Sequence, residues 1–259
     1  MKPLVRKLLG LAAVAVMAAF FVTVLTATRA ERSRLSCHTL SVEIADSSRM
    51  SFVSEEDVRN YLLEYGPCVG RRLDSIDLAR IERTLEHKSA VLGSEAWITD
   101  DGTLHVRVSQ RKPVIRFQKG AGGFYADDQG FLFPLSRYGT KVPVVDGAIP
   151  LQVGDGFKGE PATEEEKAWL RDMIDLASYI GRNRIWSENI AQITVQPSGD
   201  LVLVPASGRE RFLFGPPKQA EEKFARIRDY YEYIAPSKEE GYYRTVNVKF
   251  KGQIVCRQK

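Results

Sequence analysis

The feature that most constrains this chain is a long apolar segment near its start, from Leu8 to Thr26. Sixteen of its nineteen residues are apolar and none is charged. A helix of that length extends roughly 29 Å, close to the ~30 Å hydrocarbon core of a bilayer, and it satisfies its own backbone polar groups. We therefore predict a transmembrane helix over residues 8–28. A cleaved signal peptide is the alternative, although its apolar region is usually shorter, about 7–15 residues.

Basic residues flank this segment and bear on its orientation. Lys2, Arg6 and Lys7 precede it, and arginines also follow it, so the charge difference between its two ends is small. A basic tail as short as residues 1–7 usually stays in the cytoplasm, so we expect the bulk of the chain to lie outside. The 231 residues that follow the predicted transmembrane helix, from residue 29 on, carry 34 basic and 33 acidic side chains. Because this balanced part lacks a field that attracts a polyanion, we expect no nucleic-acid partner.

Residues 36–112 are predicted to form one α+β unit with the order β-α-α-β-β. Alternating apolar residues predict strands, a serine followed by three acidic residues predicts a helix start, and Asp-Gly predicts a hairpin turn. The elements expected, in chain order, are a strand near Leu40–Ile44, a helix capped by Ser54, a helix capped by Asp74 or Ser75, a strand near Ala96–Thr99 and a return strand after Asp101-Gly102. Two helices on one face of a small sheet make a two-layer sandwich.

Residues 113–259 are predicted to form a second unit that is richer in strands. Glycine-containing turns separate short apolar runs, and Thr163 begins a capping box for a long helix. The elements expected, in chain order, are strands at Phe124–Ala126 and Phe131–Phe133, a helix from Thr163 to Gly181, strands at Ile190–Gln196, Leu201–Pro205 and Arg211–Phe214, a helix from Pro217 to Pro236, and strands at Thr245–Phe250 and Gln253–Arg257.

Residue types that often carry catalysis or bind metals are few and scattered. The three cysteines, Cys37, Cys68 and Cys256, match no metal or redox spacing, so they allow at most one disulfide and favour packing roles. The three histidines follow no metal-ligand spacing either. We therefore expect no catalytic residue, no metal and no cofactor.

Asp127 and Asp128 are the strongest candidates for a catalytic or calcium-binding role. They lie in the stretch Asp-Asp-Gln-Gly between two short apolar runs, where aspartate commonly stabilises a turn by bonding to the backbone. A turn is the favoured interpretation. A membrane-anchored envelope hydrolase that uses these carboxylates stays open as an alternative, since sequence does not show which side chains are spatial neighbours.

The C-terminal stretch is the most informative about function. Apolar and polar residues alternate from Val246 to Phe250, Lys251-Gly252 marks a turn, and a last strand over Gln253–Arg257 follows. A terminal strand pairs with its predecessor on one side and can leave its other edge available to a partner strand. A closed or covered edge is the alternative, and the sequence favours neither.

The order of these elements, together with three stretches of sequence, resembles the FtsQ/DivIB family of bacterial cell-division proteins. The stretches are LHVRVSQRKPV over residues 104–114, FYADDQG over residues 124–130 and VNVKFKGQIVC over residues 246–256. The last of these is similar in particular to members from the Bacteroidota. The resemblance covers nearly the whole chain.

The resemblance implies a domain organisation and a function. Residues 1–7 would be a cytoplasmic tail, residues 8–28 the transmembrane helix, residues 36–112 a POTRA domain and residues 113–259 an FtsQ-type β domain. The protein would be a non-enzymatic divisome scaffold of the inner membrane, with one span, a periplasmic bulk and enrichment at the division septum. It would bind FtsB-like and FtsL-like single-span proteins and other divisome components, and help to localise and regulate septal peptidoglycan synthesis.

The resemblance also implies where the partner binds. In this family the last strands and the helix before them hold the FtsB-like partner, which adds a strand at the sheet edge. Carried over, the helix is Lys218–Ile234, and the partner-binding residues are Phe250, Gln253, Ile254, Val255, Cys256 and Arg257. Some members have an aromatic residue where this chain has Cys256-Arg257, so Phe250 or Ile254 would supply the side-chain anchor. A POTRA-bearing outer-membrane assembly factor is a further alternative, although such proteins usually carry several modules or a barrel.

Overall fold

The computed structural model describes residues 13–24, 35–45, 52–88, 90–135, 139–154, 156–206, 209–239 and 241–258. The chain divides into two compact units between Gln110 and Arg111. Each unit has its own sheet and its own hydrophobic core.

Residues 13–24 are helical, and we call this segment α1. Its apolar side chains are exposed, and the Thr23 hydroxyl donates to the carbonyl oxygens of Ala19 and Phe20, at 3.0 and 2.8 Å. The rest of the transmembrane segment predicted over residues 8–28 lies outside the described residues. Among the described residues, no helix combines enough length with enough apolar character to cross a bilayer.

The first unit is a three-stranded sheet with two helices. Its elements are β1 (Thr39–Ile44), α2 (Glu55–Leu62), a 3-10 turn (Leu73–Ser75), α3 (Leu78–Glu86), β2 (Val91–Ile98) and β3 (Thr103–Gln110). β3 lies in the centre, parallel to β1 and antiparallel to β2. Val58 and Leu62 of α2 and Ile81 and Leu85 of α3 are buried in the same core as Val106 of β3. The predicted order β-α-α-β-β is confirmed.

Capping residues set the starts of the two helices. The Ser54 hydroxyl accepts from the N–H of Asp57 at 3.1 Å, and the Asp57 carboxylate accepts from the N–H of Ser54 at 3.0 Å, so the predicted cap at Ser54 is confirmed and is part of a capping box. The cap expected at Asp74 or Ser75 is wrong, because both residues lie in the 3-10 turn. Asp77 caps α3 instead, since its carboxylate accepts from the backbone N–H three residues further on at 2.9 Å.

The second unit contains a nine-stranded sheet. Its elements are β4 (Pro113–Lys119), β5 (Gly122–Asp127), β6 (Leu132–Pro134), β7 (Val144–Gly147), α4 (Glu164–Arg182), α5 (Arg184–Asn189), β8 (Ile190–Val195), β9 (Leu201–Pro205), β10 (Arg211–Gly215), α6 (Ala220–Asp229), a π-helical stretch (Tyr230–Ile234), a 3-10 turn (Ala235–Ser237), β11 (Tyr243–Asn247) and β12 (Val255–Gln258). The strands lie in the order β12-β11-β10-β9-β8-β7-β4-β5-β6. The pairs β10–β11, β7–β8 and β4–β7 are parallel, and the other pairs are antiparallel.

One face of this sheet carries the core of the second unit. Leu201 and Leu203 of β9, and Phe212 and Phe214 of β10, are buried together with side chains of α4, α5 and α6. These strand residues are two positions apart, so they project from the same face of the sheet. The helices therefore cover that face.

Several elements of the second unit differ from those predicted. Gly181 lies inside α4 instead of ending it, and Asn183 ends the helix while its side chain caps α5, which was not predicted. α6 begins at Ala220 and not near Pro217, because Gln219 has a left-handed φ of 57° that interrupts helical geometry. The C-terminal strands are also displaced relative to the prediction. They are Tyr243–Asn247 instead of Thr245–Phe250, and Val255–Gln258 instead of Gln253–Arg257.

Candidate functional site

The C-terminal hairpin forms one edge of the nine-stranded sheet. β12 is antiparallel to β11, with Cys256 opposite Val246 and Val255 opposite Asn247. Among the described residues, β12 has no strand on its other side. The sequence left open whether this edge is available or covered. In the described part of the chain, β12 has an unpaired edge.

The hydrogen bonds of β11 show how the hairpin is oriented. The N–H of Val248, which directly follows β11, donates to the C=O of Leu213 in β10 at 3.1 Å. Backbone groups of successive residues in an extended strand point to opposite sides. The N–H and C=O groups of Thr245 and Asn247 therefore point to β12, whereas those of Val246 point to β10.

This orientation directs both backbone groups of a residue in the middle of β12 away from the sheet. Val255 and Arg257 lie opposite Asn247 and Thr245, so they exchange hydrogen bonds with β11. Cys256 lies between them, and its N–H and C=O point to the unpaired side. Within the described residues, no side chain or loop bonds to these two groups. The edge therefore offers one donor and one acceptor from the centre of β12 to an added strand.

The other sheet edges are contacted by their own chain. At the opposite edge of the large sheet, the loop at Gly159 exchanges two backbone hydrogen bonds with β6, at 2.8 and 3.0 Å. In the first unit, Arg59 of α2 donates to the C=O of Leu40 in β1 at 3.4 Å. The Glu82 carboxylate of α3 accepts from the N–H of Ala96 in β2 at 2.8 Å. Among the edges that the structure describes, β12 is the one without such a contact.

The side chains of the six predicted partner-binding residues fall into two groups. Ile254 and Cys256 are half-buried and pack against the core of the second unit, so they hold the hairpin in place. The exposed members are Phe250, Gln253, Val255 and Arg257. Phe250 is 52% exposed and Val255 is 42% exposed, so these two expose apolar surface at this edge. Ile254, which the resemblance allowed as an anchor for the partner, faces its own core.

Polar contacts hold the turn before β12. Lys249 Nζ lies 2.6 Å from Asp200 Oδ2, and the backbone N–H of Lys249 donates to the side-chain oxygen of Asn247 at 2.9 Å. Gly252 has a φ of 69°, in the left-handed region that favours glycine. The turn predicted at Lys251-Gly252 is confirmed. The contacts of Lys249 hold the segment between β11 and β12, which contains Phe250.

A group of tyrosines, which the sequence patterns did not single out, lies next to the hairpin. The rings of Tyr230 and Tyr243 are 6.4 Å apart, those of Tyr243 and Tyr242 are 4.9 Å apart, and the Tyr242 hydroxyl accepts from the side-chain amide of Gln258. The exposed members are Tyr231 (40%), Tyr233 (70%) and Tyr242 (39%), and we call these three the tyrosine patch. Tyrosine is enriched at protein interfaces, so the density of tyrosines over residues 230–243 was the available signal.

A buried lysine lies on α6, beneath the sheet. Lys223 is 1% exposed, its Nζ donates to the C=O of Pro216 at 2.6 Å, and it lies 4.6 Å from the centre of the Phe214 ring. Burial, followed by the positive charge of Arg226, lowers the pKa of Lys223 to about 8, against the opposing effect of Asp200. The amine is therefore less basic than an exposed lysine.

We predict that Lys223 makes the stability of the second unit rise with pH between about 8 and 10.5. Unfolding restores the ordinary pKa of 10.5, so between these values the unfolded state binds more protons than the folded state. If the two states differ by one full proton, the free energy of unfolding rises by about 1.4 kcal/mol per pH unit, and this is the upper limit of the slope. Urea unfolding near pH 7.5 and near pH 9.5 should show this rise in the unchanged protein, and Lys223→Met should remove most of it. An equal rise in both proteins contradicts the prediction.

Asp127 takes a structural role in the turn after β5. Its carboxylate accepts from the backbone N–H groups of Gln129 and Phe131, at 3.0 and 2.9 Å, and forms an ion pair with Arg111 at 2.8 Å. Asp128 is exposed and lines a cleft of about 350 Å³ between this turn and α4. The geometry of Asp127 therefore agrees with the interpretation of this stretch as a turn.

Comparison with known families assigns both units. A model described as POTRA-like domain matches residues 35–109, and a model described as FtsQ/DivIB, C-terminal related, matches residues 112–257. No curated protein matches the chain. Because the FtsQ/DivIB match spans more than half of the 259 residues, this chain belongs to the FtsQ/DivIB family, as its resemblance to that family indicated.

Proposed function

We propose that this protein is a non-enzymatic divisome scaffold, which binds FtsB-like and FtsL-like partners by strand addition at β12 and helps to localise and regulate septal peptidoglycan synthesis. The family assignment supports a division-associated, non-enzymatic role. The observation that carries the rest is the unpaired edge of β12, with the backbone groups of Cys256 directed outward. Strand addition at such an edge uses main-chain hydrogen bonds for affinity and register.

The short length of β12 limits what backbone pairing alone contributes. Val255–Gln258 spans about 13 Å at ~3.3 Å per residue, so a partner strand gains only a few hydrogen bonds. Each contributes about 0.5–1.5 kcal/mol, whereas association costs about 4–15 kcal/mol in lost freedom. Side-chain contacts must supply the difference. The exposed parts of Phe250 and Val255, with the tyrosine patch, are the apolar surfaces that we assign to that role.

Membrane anchoring would lower the cost of association. We propose that residues 8–28 are a single span in the inner membrane, that the bulk of the chain is periplasmic and that the protein is enriched at the division septum. The exposed apolar side chains of α1, among them Phe20 and Phe21, support the anchor. Confinement of both partners to one membrane raises their effective concentration, so a modest intrinsic affinity is sufficient.

We predict that Cys256→Pro weakens binding of the periplasmic part of an FtsB-like partner by at least about tenfold. Proline removes the outward N–H of residue 256, and this N–H has no hydrogen bond within the sheet, so the hairpin should persist. Proline also restricts the preceding residue to extended geometry, which Val255 already has as part of β12. Cys256→Val keeps the N–H and should lose far less affinity. Calorimetric titration of the detergent-solubilised full chain measures all three proteins.

A second proline variant separates loss of the donor from loss of the hairpin. The N–H of Arg257 bonds to β11, so Arg257→Pro should lower the unfolding midpoint in urea as well as the affinity. Cys256→Pro should lower that midpoint less, because it loses side-chain packing against the core but no hydrogen bond within the sheet. Normal binding by a folded Cys256→Pro variant would rule out strand addition at β12.

A further inference from the structure

Cys37 and Cys68 are two buried thiols in the first unit, whereas the proposed partner-binding edge belongs to the second unit. Cys37 is 0% exposed and Cys68 is 6% exposed, and both belong to the same hydrophobic core. Both are free thiols in the structure. The sequence allowed at most one disulfide among the three cysteines without indicating which pair would form it.

The backbone brings these two residues together at one short turn. The N–H of Cys37 donates to the C=O of Arg71 at 2.8 Å, and the N–H of Gly70 donates to the C=O of Cys37 at 2.7 Å. The N–H of Arg71 also donates to the C=O of Cys68 at 3.2 Å, which closes a turn over residues 68–71. The backbone of Cys37 is therefore hydrogen-bonded to Gly70 and Arg71, the last two residues of the turn that begins at Cys68.

The Cys37 thiol also acts electrostatically on the thiol of Cys68. Burial raises the pKa of the Cys68 thiol, Cys37 raises it further, and Arg71 acts in the opposite direction. A thiol with a raised pKa is mostly protonated near neutral pH and reacts slowly with oxidants. Oxidation of this pair is therefore expected during folding, before both sulfur atoms are buried.

We propose that Cys37 and Cys68 form a disulfide bond when the chain folds outside the cytoplasm. The inference rests on the proposed function in one respect, the location of the first unit in an oxidising compartment. Two S–H bonds break and one S–S bond forms, and the two protons pass with two electrons to the acceptor disulfide. The two electrons reduce the disulfide of an exported thiol–disulfide oxidoreductase to two thiols. Cys256 lies in the second unit and stays a free thiol.

The bond closes a loop of roughly 30 residues that contains β1 and α2. Closing such a loop restricts the unfolded chain and thereby stabilises the folded state. The oxidised protein should have a melting temperature for the first unit at least about 5 °C above that of the reduced protein.

Alkylation and peptide mapping of the full chain test the proposal directly. Cells that express the chain are lysed in denaturant with N-ethylmaleimide, which exposes and blocks every free thiol, and the digested protein is analysed by mass spectrometry without reduction. The expected result is a linked pair of peptides containing Cys37 and Cys68, with alkyl label on Cys256. Alkyl label on Cys37 and Cys68 in most molecules overturns the proposal.

Refolding and substitution distinguish a disulfide from two packed thiols. The full chain refolded with oxidised and reduced glutathione should form the same linked pair, since oxidised glutathione takes the two electrons. Under oxidising conditions Cys37→Ala, Cys68→Ala and the double variant should all melt below the unchanged protein, at nearly the same temperature as one another. Either single substitution already removes the whole disulfide bond. Additive losses, which packed thiols would give, overturn the proposal.

The two experiments also separate this inference from the proposed function. A linked pair that forms on refolding but is absent from cells overturns the disulfide together with the proposed location of the first unit. Absence of the pair in both experiments overturns the disulfide alone, because binding at β12 is measured independently with the Cys256→Pro variant.

Discussion

Replacing Asp127 with alanine should lower the free energy of unfolding of the second unit by about 3–5 kcal/mol. The side chain of Asp127 is 3% exposed, that of Arg111 is 13% exposed, and their charged groups are 2.8 Å apart. The same carboxylate accepts two backbone hydrogen bonds in the turn after β5. Its removal leaves an almost buried guanidinium and two backbone donors without their partner. Guanidinium chloride unfolding, followed by circular dichroism, measures the change.

The neighbouring aspartate provides the matched control. Asp128 is exposed, so Asp128→Ala should change the free energy of unfolding by no more than about 0.5 kcal/mol. Equal small effects of the two substitutions would contradict the structural role of Asp127. The result also bears on the envelope hydrolase alternative. Of the two carboxylates considered for it, that of Asp127 is already engaged, because Oδ1 accepts from the backbone and Oδ2 pairs with Arg111, whereas that of Asp128 is exposed.

Phe224→Ala should destabilise the second unit by a similar amount, about 3–5 kcal/mol. Phe224 is 1% exposed, and its ring centre lies 4.8 Å from Trp186, 5.3 Å from Tyr179 and 5.4 Å from Phe214. The substitution therefore leaves a large cavity where α4, α5 and α6 meet the sheet. Unfolding in guanidinium chloride, monitored by tryptophan fluorescence, measures the loss.

An exposed aromatic residue of the same helical region serves as the control for Phe224. Tyr233 is 70% exposed, so Tyr233→Ala should leave the free energy of unfolding within about 0.5 kcal/mol of the unchanged protein. A loss below about 1 kcal/mol for Phe224→Ala would show that this part of the core is not packed as described.

The architecture of the first unit followed from its sequence because local signals and tertiary structure agree there. Ser54 caps α2 as its position before three acidic residues predicts, and Asp101-Gly102 joins β2 to β3. The misplaced cap of α3 has a local cause. Asp74 and Ser75 are good capping residues, but the chain forms a 3-10 turn there and uses Asp77, the next candidate.

The second unit was harder to predict because non-local pairing determines several of its elements. β7 has only four residues and is held between two parallel neighbours, β4 and β8, so its own sequence carries little signal. Gly181 has a low helix propensity, yet Ile180 and Ala177 are buried in the core and the helix continues. Tertiary packing overrides local preference at both places.

The position of the candidate site could be predicted from the sequence, but the roles of its individual residues could not. Alternation and the Lys251-Gly252 turn predicted the hairpin, whereas the unpaired edge follows from the order of nine strands, which no local pattern contains. The split between the core-facing Cys256 and the exposed Val255 depends on register. Two members of the tyrosine patch belong to the π-helical stretch and the third directly precedes β11, and the ring contact between Tyr230 and Tyr243 joins these two segments.

Amide hydrogen exchange at Cys256, resolved by NMR with and without the FtsB-like partner, tests strand addition most directly. In the free protein the Cys256 amide should exchange much faster than those of Val255 and Arg257, which bond to β11. Saturation with partner should slow exchange at Cys256 by at least about 100-fold, since an added strand accepts that hydrogen bond. A Cys256 amide that is already protected in the free protein, or that stays unprotected in the complex, would contradict the proposed mode of binding.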